Sequence, residues 1–349
     1  MTAAGPTEAT PDVITDLGHD VYQIDTRMAG YHGITAGYLI RGDRPCLVET
    51  GTAPSAPVVQ DALASLGVGP ADLATVVVTH IHLDHAGGTG DIAQLFPATE
   101  IVVHELGARH LADPSRLMAS ARMVYRDELD ELFGELAPKP GERIRTVERT
   151  GVVDLGGGRR LESHYSPGHA KHHVGLVDSV SGDLYVGDAA GIYIQETGDI
   201  RPATPPPDFD LDVALASLRT FAALRPTRLL FSHFGPVTAV DEALERSADE
   251  ITVWVEETRQ TRRAGMDLDH VAERTRERYR ALAADADPEV AAKYDRISGA
   301  AANVAGIMRW LDKSEGTHPT QERKTRPAVV PPLARDPLQG SELSSPGTP

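Results

Sequence analysis

Six consecutive residues, His80-Ile81-His82-Leu83-Asp84-His85, constrain this chain more than any other stretch. They set three imidazoles and a carboxylate directly after the apolar run Val76-Val77-Val78. Imidazole nitrogen and carboxylate oxygen are ligands that borderline divalent ions such as zinc prefer. Side chains two apart on an extended segment share a face, so His80 and His82 can meet one ion. Asp84 and His85 follow as the chain turns and can reach a second ion beside it. A metalloprotease helix needs His at i and i+4 with Glu between, which this motif lacks. The competing reading is a surface cluster of histidines at a strand end.

Composition bounds the rest. Hydrophobic residues are 41% of 349, enough for a core in one large domain or two smaller ones. No apolar run reaches the length of a membrane span, and residues 1–11 lack the basic and apolar regions of a signal peptide. Cys46 is the only cysteine, which excludes an internal disulfide and leads us to expect a cytoplasmic location. Its apolar neighbours mark it as a core residue rather than a reactive thiol. A net charge of -17 disfavours nucleic acid, so the expected partner is a small-molecule substrate.

Along the chain, residues 1–12 read as a flexible tail. Strands are expected at Val21–Asp25, Ala36–Ile40, Cys46–Glu49, Ala74–Thr79 and Ile101–Val103, with helices at Val58–Leu66 and Asp91–Phe96. Gly87-Gly88 reads as a tight turn. Residues 105–136 read as a helical insert whose apolar face would hold Met118, Met123, Tyr125 and Phe133. Its acidic run Asp127–Glu131 reads as a solvated face. Strands resume at Arg160–Tyr165, Val174–Asp178, Asp183–Val186 and Arg228–Phe231, with a helix at Leu211–Leu224. A helical C-terminal region spans 239–313 (Ala239–Arg263, Leu268–Ala284 and Pro288–Lys313). Residues 314–349 read as disordered. The main domain is thus expected over 13–238.

A two-metal site needs more ligands than the first motif supplies, and loops at strand ends are where side chains stand over a rigid sheet. Three such places carry a ligand-type residue next to glycine: His169 in Ser166-Pro167-Gly168-His169, Asp188 in Gly187-Asp188, and His233 in Ser232-His233-Phe234-Gly235. Of the other histidines, His173 reads as a packed or supporting residue and His172 as solvent-exposed. His32 suits a pocket wall or a turn.

With these positions in order, the chain resembles the metallo-beta-lactamase fold superfamily, which includes glyoxalase II and lactonases. Five ordered motifs carry the resemblance over about residues 20–240: Glu49, His80–His85, His169, Asp188 and His233. The resemblance implies an α/β four-layer αββα sandwich of two mixed β-sheets, here with a C-terminal helical extension. It implies His80, His82 and His169 on one metal, Asp84, His85 and His233 on the other, and Asp188 bridging. Glu49-Thr50-Gly51 stands where the family usually has Asp-Thr-Gly, a residue that supports the site from behind the ligands. Tyr193, five residues past Asp188, is a candidate counterpart of a lactonase tyrosine.

The implied cofactor is two divalent metal ions, zinc first, with iron or manganese as options. The implied function is hydrolysis of a thioester or lactone by a metal-bound hydroxide, with Asp84 orienting the nucleophile and moving its proton. The alternatives are a mononuclear-iron persulfide dioxygenase and a nuclease of the same superfamily. The helices of 105–136 and 239–313 are candidates to cover the site or to form a homodimer.

Overall fold

Apolar residues alternate along most strands, and both faces of each sheet need cover. That requirement builds the layers. The structure is a computed structural model that describes residues 13–139, 141–282 and 299–315. Seven strands form the first sheet, in chain order: β1 (Ile14–Asp16), β2 (Val21–Asp25), β3 (Ala36–Ile40), β4 (Cys46–Val48), β5 (Thr75–Val77), β6 (Glu100–His104) and β7 (Ile144–Val147). Neighbours are antiparallel up to β4 and parallel from β4 to β7.

The second sheet starts with β8 (Thr150–Asp154), β9 (Arg160–Tyr165), β10 (Val174–Asp178) and β11 (Leu184–Gly187). A separate hairpin of β12 (Ile192–Ile194) and β13 (Asp199–Arg201) follows. The sheet is completed by β14 (Leu229–Phe231) and β15 (Gly235–Val237), in the order β15-β14-β11-β10-β9-β8. β11 and β14 are parallel and the other neighbours antiparallel, so both sheets are mixed.

Between the sheets lie Tyr38, Cys46, Val48, Val77 and Val102 from the first and Leu161, Val174, Leu176, Tyr185 and Leu230 from the second. The Tyr38 hydroxyl donates to the Phe231 carbonyl, and its ring meets Tyr185 edge-on at 5.3 Å. Cys46 is fully buried there, and burial pushes its thiol up to about 12. It is a core residue, as expected.

The alternate residues point outward. Leu39, Leu47, Val76, Ile101 and Val103 pack under α1 (Ala56–Ser65), α3 (Thr89–Leu95) and the insert; the short α2 (Leu83–Ala86) lies between β5 and α3. The insert comprises α4 (Glu105–Ala112), α5 (Ser115–Tyr125) and α6 (Leu129–Leu132). On the other side, Leu184, Val186, Leu229 and Phe231 pack against α7 (Leu211–Leu224), α8 (Val240–Arg263), α9 (Leu268–Leu282) and α10 (Ala300–Glu315). The result is the four-layer αββα sandwich with a helical C-terminal part. Truncating a fully buried side chain such as Leu47 to Ala in such a core costs about 2–5 kcal/mol.

Several local expectations are corrected. The helices of residues 105–136 are separate pieces. Pro114 biases Asp113 toward extended backbone (φ -134°, ψ 93°), and Arg126 breaks the chain again at φ 50°. Met118 and Phe133 are buried, but Met123 is 74% exposed. Gly87 and Gly88 form the turn between α2 and α3, as expected, with backbone angles in the right-handed region. A Cβ at Gly88 would lie 3.0 Å from the Thr52 carbonyl oxygen and 3.1 Å from that of Thr50, so close approach is what requires glycine. The last helix ends at Glu315, inside the expected tail, and its expected start at Pro288 falls outside the described residues. The remainder of both expected tails lies outside them as well. Among the described residues, no helix is long and apolar enough to cross a membrane.

Candidate metal centre

The strands β4, β5, β9, β11 and β14 all run toward one edge of the sandwich. The residues singled out from sequence follow their C-terminal ends: Glu49 after β4, His80 and His82 after β5, His169 after β9, Asp188 after β11, and His233 after β14. Asp84 and His85 sit on α2, a single turn that starts at Leu83. Backbone direction thus gathers residues 49 to 233 at one rim.

They form two groups. Ligand-type atoms of His80, His82, His169 and Asp188 lie within 4.8 Å of one another, and so do those of Asp84, His85 and His233. Asp188 stands between the groups. Its Oδ2 is 3.5 Å from His169 Nε2 and 3.9 Å from His80 Nε2. Its Oδ1 is 3.2 Å from His85 Nε2 and 3.6 Å from His233 Nε2. Asp84 Oδ2 closes the second group at 3.3 Å from His233 Nε2 and 3.5 Å from His85 Nε2.

Hydrogen bonds behind the site fix which nitrogen faces it. His169 Nδ1 donates to the Ala203 carbonyl at 2.9 Å, and His233 Nδ1 donates to the Ile34 carbonyl at 2.8 Å. Each Nε2 is therefore left to present a lone pair to the cluster. That lone pair meets another imidazole nitrogen in both groups: His82 Nδ1 at 2.9 Å and His85 Nε2 at 3.2 Å. Two lone pairs so close repel unless a cation or proton lies between them. Buried His80 Nε2 and Asp188 Oδ1 also lack a hydrogen-bond partner. This donor set, with nitrogen and carboxylate oxygen aimed inward, fits divalent metal ions.

The supporting residues are legible too. Glu49 holds φ 64°, which ends β4 and turns its carboxylate back. Its Oε1 accepts from the Thr79 amide at 2.8 Å, and its Oε2 lies 3.4 Å from His85 Nδ1. The longer side chain thus still reaches the histidine. His173 accepts from the Asp188 amide through Nε2 at 3.1 Å and pairs with Ser166 Oγ through Nδ1 at 2.8 Å. The Tyr193 ring lies against Phe231, at 5.7 Å between centroids, within the outer core. Its backbone brackets His233 instead: Tyr193 N donates to the His233 carbonyl, and Phe234 N donates to that of Tyr193 at 3.1 Å.

Two residues escaped the sequence reading. His172 is half-buried, not exposed, with its ring nearly parallel to that of His80 at 6.3 Å and a buried, unpartnered Nδ1. Tyr125, expected only as packing, reaches the Asp84 side from the insert. Burial, and then the Asp84 carboxylate, raise its phenol above the ordinary range. The adjacent His-His pair was a signal for the first. Nothing local marks the second, because its neighbour lies 41 positions away.

Charge divides the two groups. Burial, then neighbouring imidazoles, drive His80 well below the ordinary histidine range. Burial, followed by His169, brings His82 down to about 4. His85 shows the reverse: burial opposes its charge, but the Asp188 and Asp84 carboxylates raise it well above the usual value. Asp84 is held well below the usual carboxylate range; burial opposes this, and His85 and His233 overcome it.

A family model, that of the metallo-beta-lactamase superfamily, matches residues 30–233, and the chain belongs to that superfamily. Among curated relatives, the metallo-beta-lactamase fold-containing protein ST1585 of Sulfurisphaera tokodaii is 32% identical over 189 residues, covering 52% of this chain and 69% of the relative. The probable metallo-hydrolase YqjP of Bacillus subtilis is 28% identical over 239 residues, covering 61% of this chain and 71% of its own. Among solved structures, archaeal ST1585 from Sulfolobus tokodaii gives a TM-score of 0.57 at 26% identity, over 67% of this chain and 86% of that one. The family protein TTHA1429 of Thermus thermophilus gives 0.58 at 20% identity, over 80% and 89%, a likeness of fold.

Proposed function

We propose that this chain is a metal-dependent hydrolase that holds two divalent ions, zinc first, and cleaves an ester-like bond of a small molecule, a thioester or a lactone. The observation that carries the reading is Asp188, whose two oxygens face two separate ligand groups. When bound at such a pair of sites, divalent ions lower the pKa of a shared water toward ~7 and polarise a carbonyl.

The chain's own residues supply the rest. His80, His82 and His169 are ready as neutral donors at neutral pH, since burial and mutual repulsion disfavour their protonation. Asp84 has a 21% exposed side chain against 7% for Asp188, so it is the carboxylate that faces the opening. We read it as the group that orients an attacking water and accepts its proton. Tyr125 is near enough to Asp84 for that carboxylate to act on its phenol. No step needs a covalent nucleophile, and Cys46 is out of reach between the sheets.

Elemental analysis of the purified protein, run with a panel of thioesters, lactones and simple esters, tests this. We expect two divalent ions per chain and turnover that stops on chelation. One iron per chain with oxygen uptake on a persulfide would favour the dioxygenase reading instead. Cleavage of RNA or DNA would favour a nuclease.

A further inference from the structure

A cavity opens beside the centre, next to His233. About 270 Å³ in volume, it is lined by Val13, Gln23, Asp25, His32, Gln195 and Phe234, among others. Gln23 and Asp25 point between the sheets at the β1–β2 edge and are only 5% and 4% exposed. Asp25 is tied down: Oδ1 accepts from the Arg27 amide at 3.0 Å, Oδ2 accepts from the Gly33 amide at 2.9 Å, and Arg27 Nε lies 3.4 Å from Oδ2. Gln23 is not, for its buried Oε1 has no hydrogen-bond partner. An unmade bond of this kind costs about 1–3 kcal/mol. A Cβ on Gly235 would lie 3.7 Å from both Gln23 Oε1 and Gln195 Oε1, so two amide oxygens converge there. Glu196 adds a carboxylate, while Val13, Phe234 and Pro236 supply an apolar wall.

We propose that this cavity binds a small alkylammonium group. Acceptors converge on it, no lysine or arginine lines it among the described residues apart from the pairing of Arg27 with Asp25, and its volume suits a compact ligand or one end of a larger one. It stands behind the metal centre: Phe234 follows His233, and Gly33 precedes Ile34, the partner of His233 Nδ1. The proposal does not depend on the hydrolytic reading.

Ligand-observed NMR titration with n-butylammonium, using n-butanol and butyrate as controls, tests it on the full chain. We expect saturable binding of the amine, weaker for butanol and absent for butyrate. Gln23→Leu, nearly isosteric, should weaken it at least tenfold. Gln195→Trp, an exposed change that blocks the mouth and spares the core, should do the same. Binding unchanged in both variants, no binding to the wild type, or saturable binding of butyrate overturns the proposal.

An independent observation concerns α10, which lies beyond the stretch matched by the family model. Asn303 Oδ1 accepts from the Thr204 amide at 2.6 Å, and the Thr204 hydroxyl donates to the Asn303 carbonyl at 3.1 Å. Gly306 lets the helix approach, since a Cβ there would lie 1.9 Å from the Thr204 carbonyl oxygen. The preceding residue, Ala203, accepts the bond that orients His169. The geometry assigns Asn303 as a positioning residue for His169, an inference that rests on the metal reading of the site.

Zinc titration of wild type, Asn303→Ala and Asn303→Asp tests it. We expect about tenfold weaker zinc on the His169 side for Ala, unchanged zinc on the Asp84 side, and rescue by Asp, which keeps the acceptor. Equal weakening on both sides, or none, overturns the assignment. A wild type that binds no zinc would sink the metal reading instead. The brace is then read from the His169 ring tautomer by 15N NMR, and a tautomer unmoved in Asn303→Ala overturns it.

Discussion

The two halves of the candidate metal centre are built from the same residue types yet behave oppositely. Around His80, His82 and His169, imidazole faces imidazole, and protonation is disfavoured. Around His85 and His233, two carboxylates stand close, and burial is outweighed by Asp188, which raises both histidines. The first half is preset to receive a cation. In the second, the carboxylates shift both histidines toward the protonated form, so a proton competes with metal there. The lesson is that ligand identity does not set protonation; the count of carboxylates within 4 Å does.

The largest effect should come from removing the residue both halves share. Asp188→Ala is expected to lower turnover by about three orders of magnitude, about 4 kcal/mol in barrier, with metal content falling on both sides. Retention of two ions per chain by elemental analysis would dissolve the comparison. Next, His80→Ala and His233→Ala should each remove one ion and leave the other, with activity down about a hundredfold. If either variant loses both ions, the halves are one cooperative unit.

His173→Ala should weaken metal binding or activity by about 10- to 100-fold, since it supports Asp188 from behind. Ser166→Ala should act in the same direction more mildly.

A pH series on metal-free protein sharpens the contrast further. The folded His82 titrates at about 4, below its ordinary value of 6.5. Between those values the unfolded chain binds more protons, so this residue makes stability fall as pH drops, by about 1–3 kcal/mol. His85 works the other way: its folded value is raised, so its contribution is full below 6.5 and is lost as pH rises through the folded value. Urea unfolding from pH 4 to 7 should show a shallower acid-side fall in His82→Asn than in the wild type. An identical slope would remove His82 from the account. The smallest change is Tyr125→Phe, with turnover down about two- to tenfold and metal content unchanged.

Much of this was open to reading in one dimension. The His80–His85 motif needs only residue chemistry and a strand before it. His169, Asp188 and His233 could be picked out because each follows a strand and has a glycine within two positions. The strands Ala36–Ile40 and Ala74–Thr79 were legible as apolar runs, while the split of Tyr38/Leu39 and Val76/Val77 between two buried faces came from the fold. Short strands such as β7, β8 and β13 were missed because Arg145, Gly151 and Arg201 interrupt their apolar pattern, whereas the equally short β4 and β14 are apolar throughout. Within the insert, Pro114 marks one break through its steric effect on Asp113, while nothing local marks the second at Arg126.

The sequence by itself determined the ligand chemistry and the strands that carry it, since both depend on neighbours within a few positions. The tertiary structure alone decided the pairing of Asp188 with both groups and the opposite protonation of His82 and His85. It also placed Tyr125 near Asp84, braced His169 through Asn303, and left Gln23 unpartnered in its cavity. Each of these depends on distances of a few ångströms between residues tens to hundreds of positions apart. Local patterns carry no information on such distances; the sheet registers fix them.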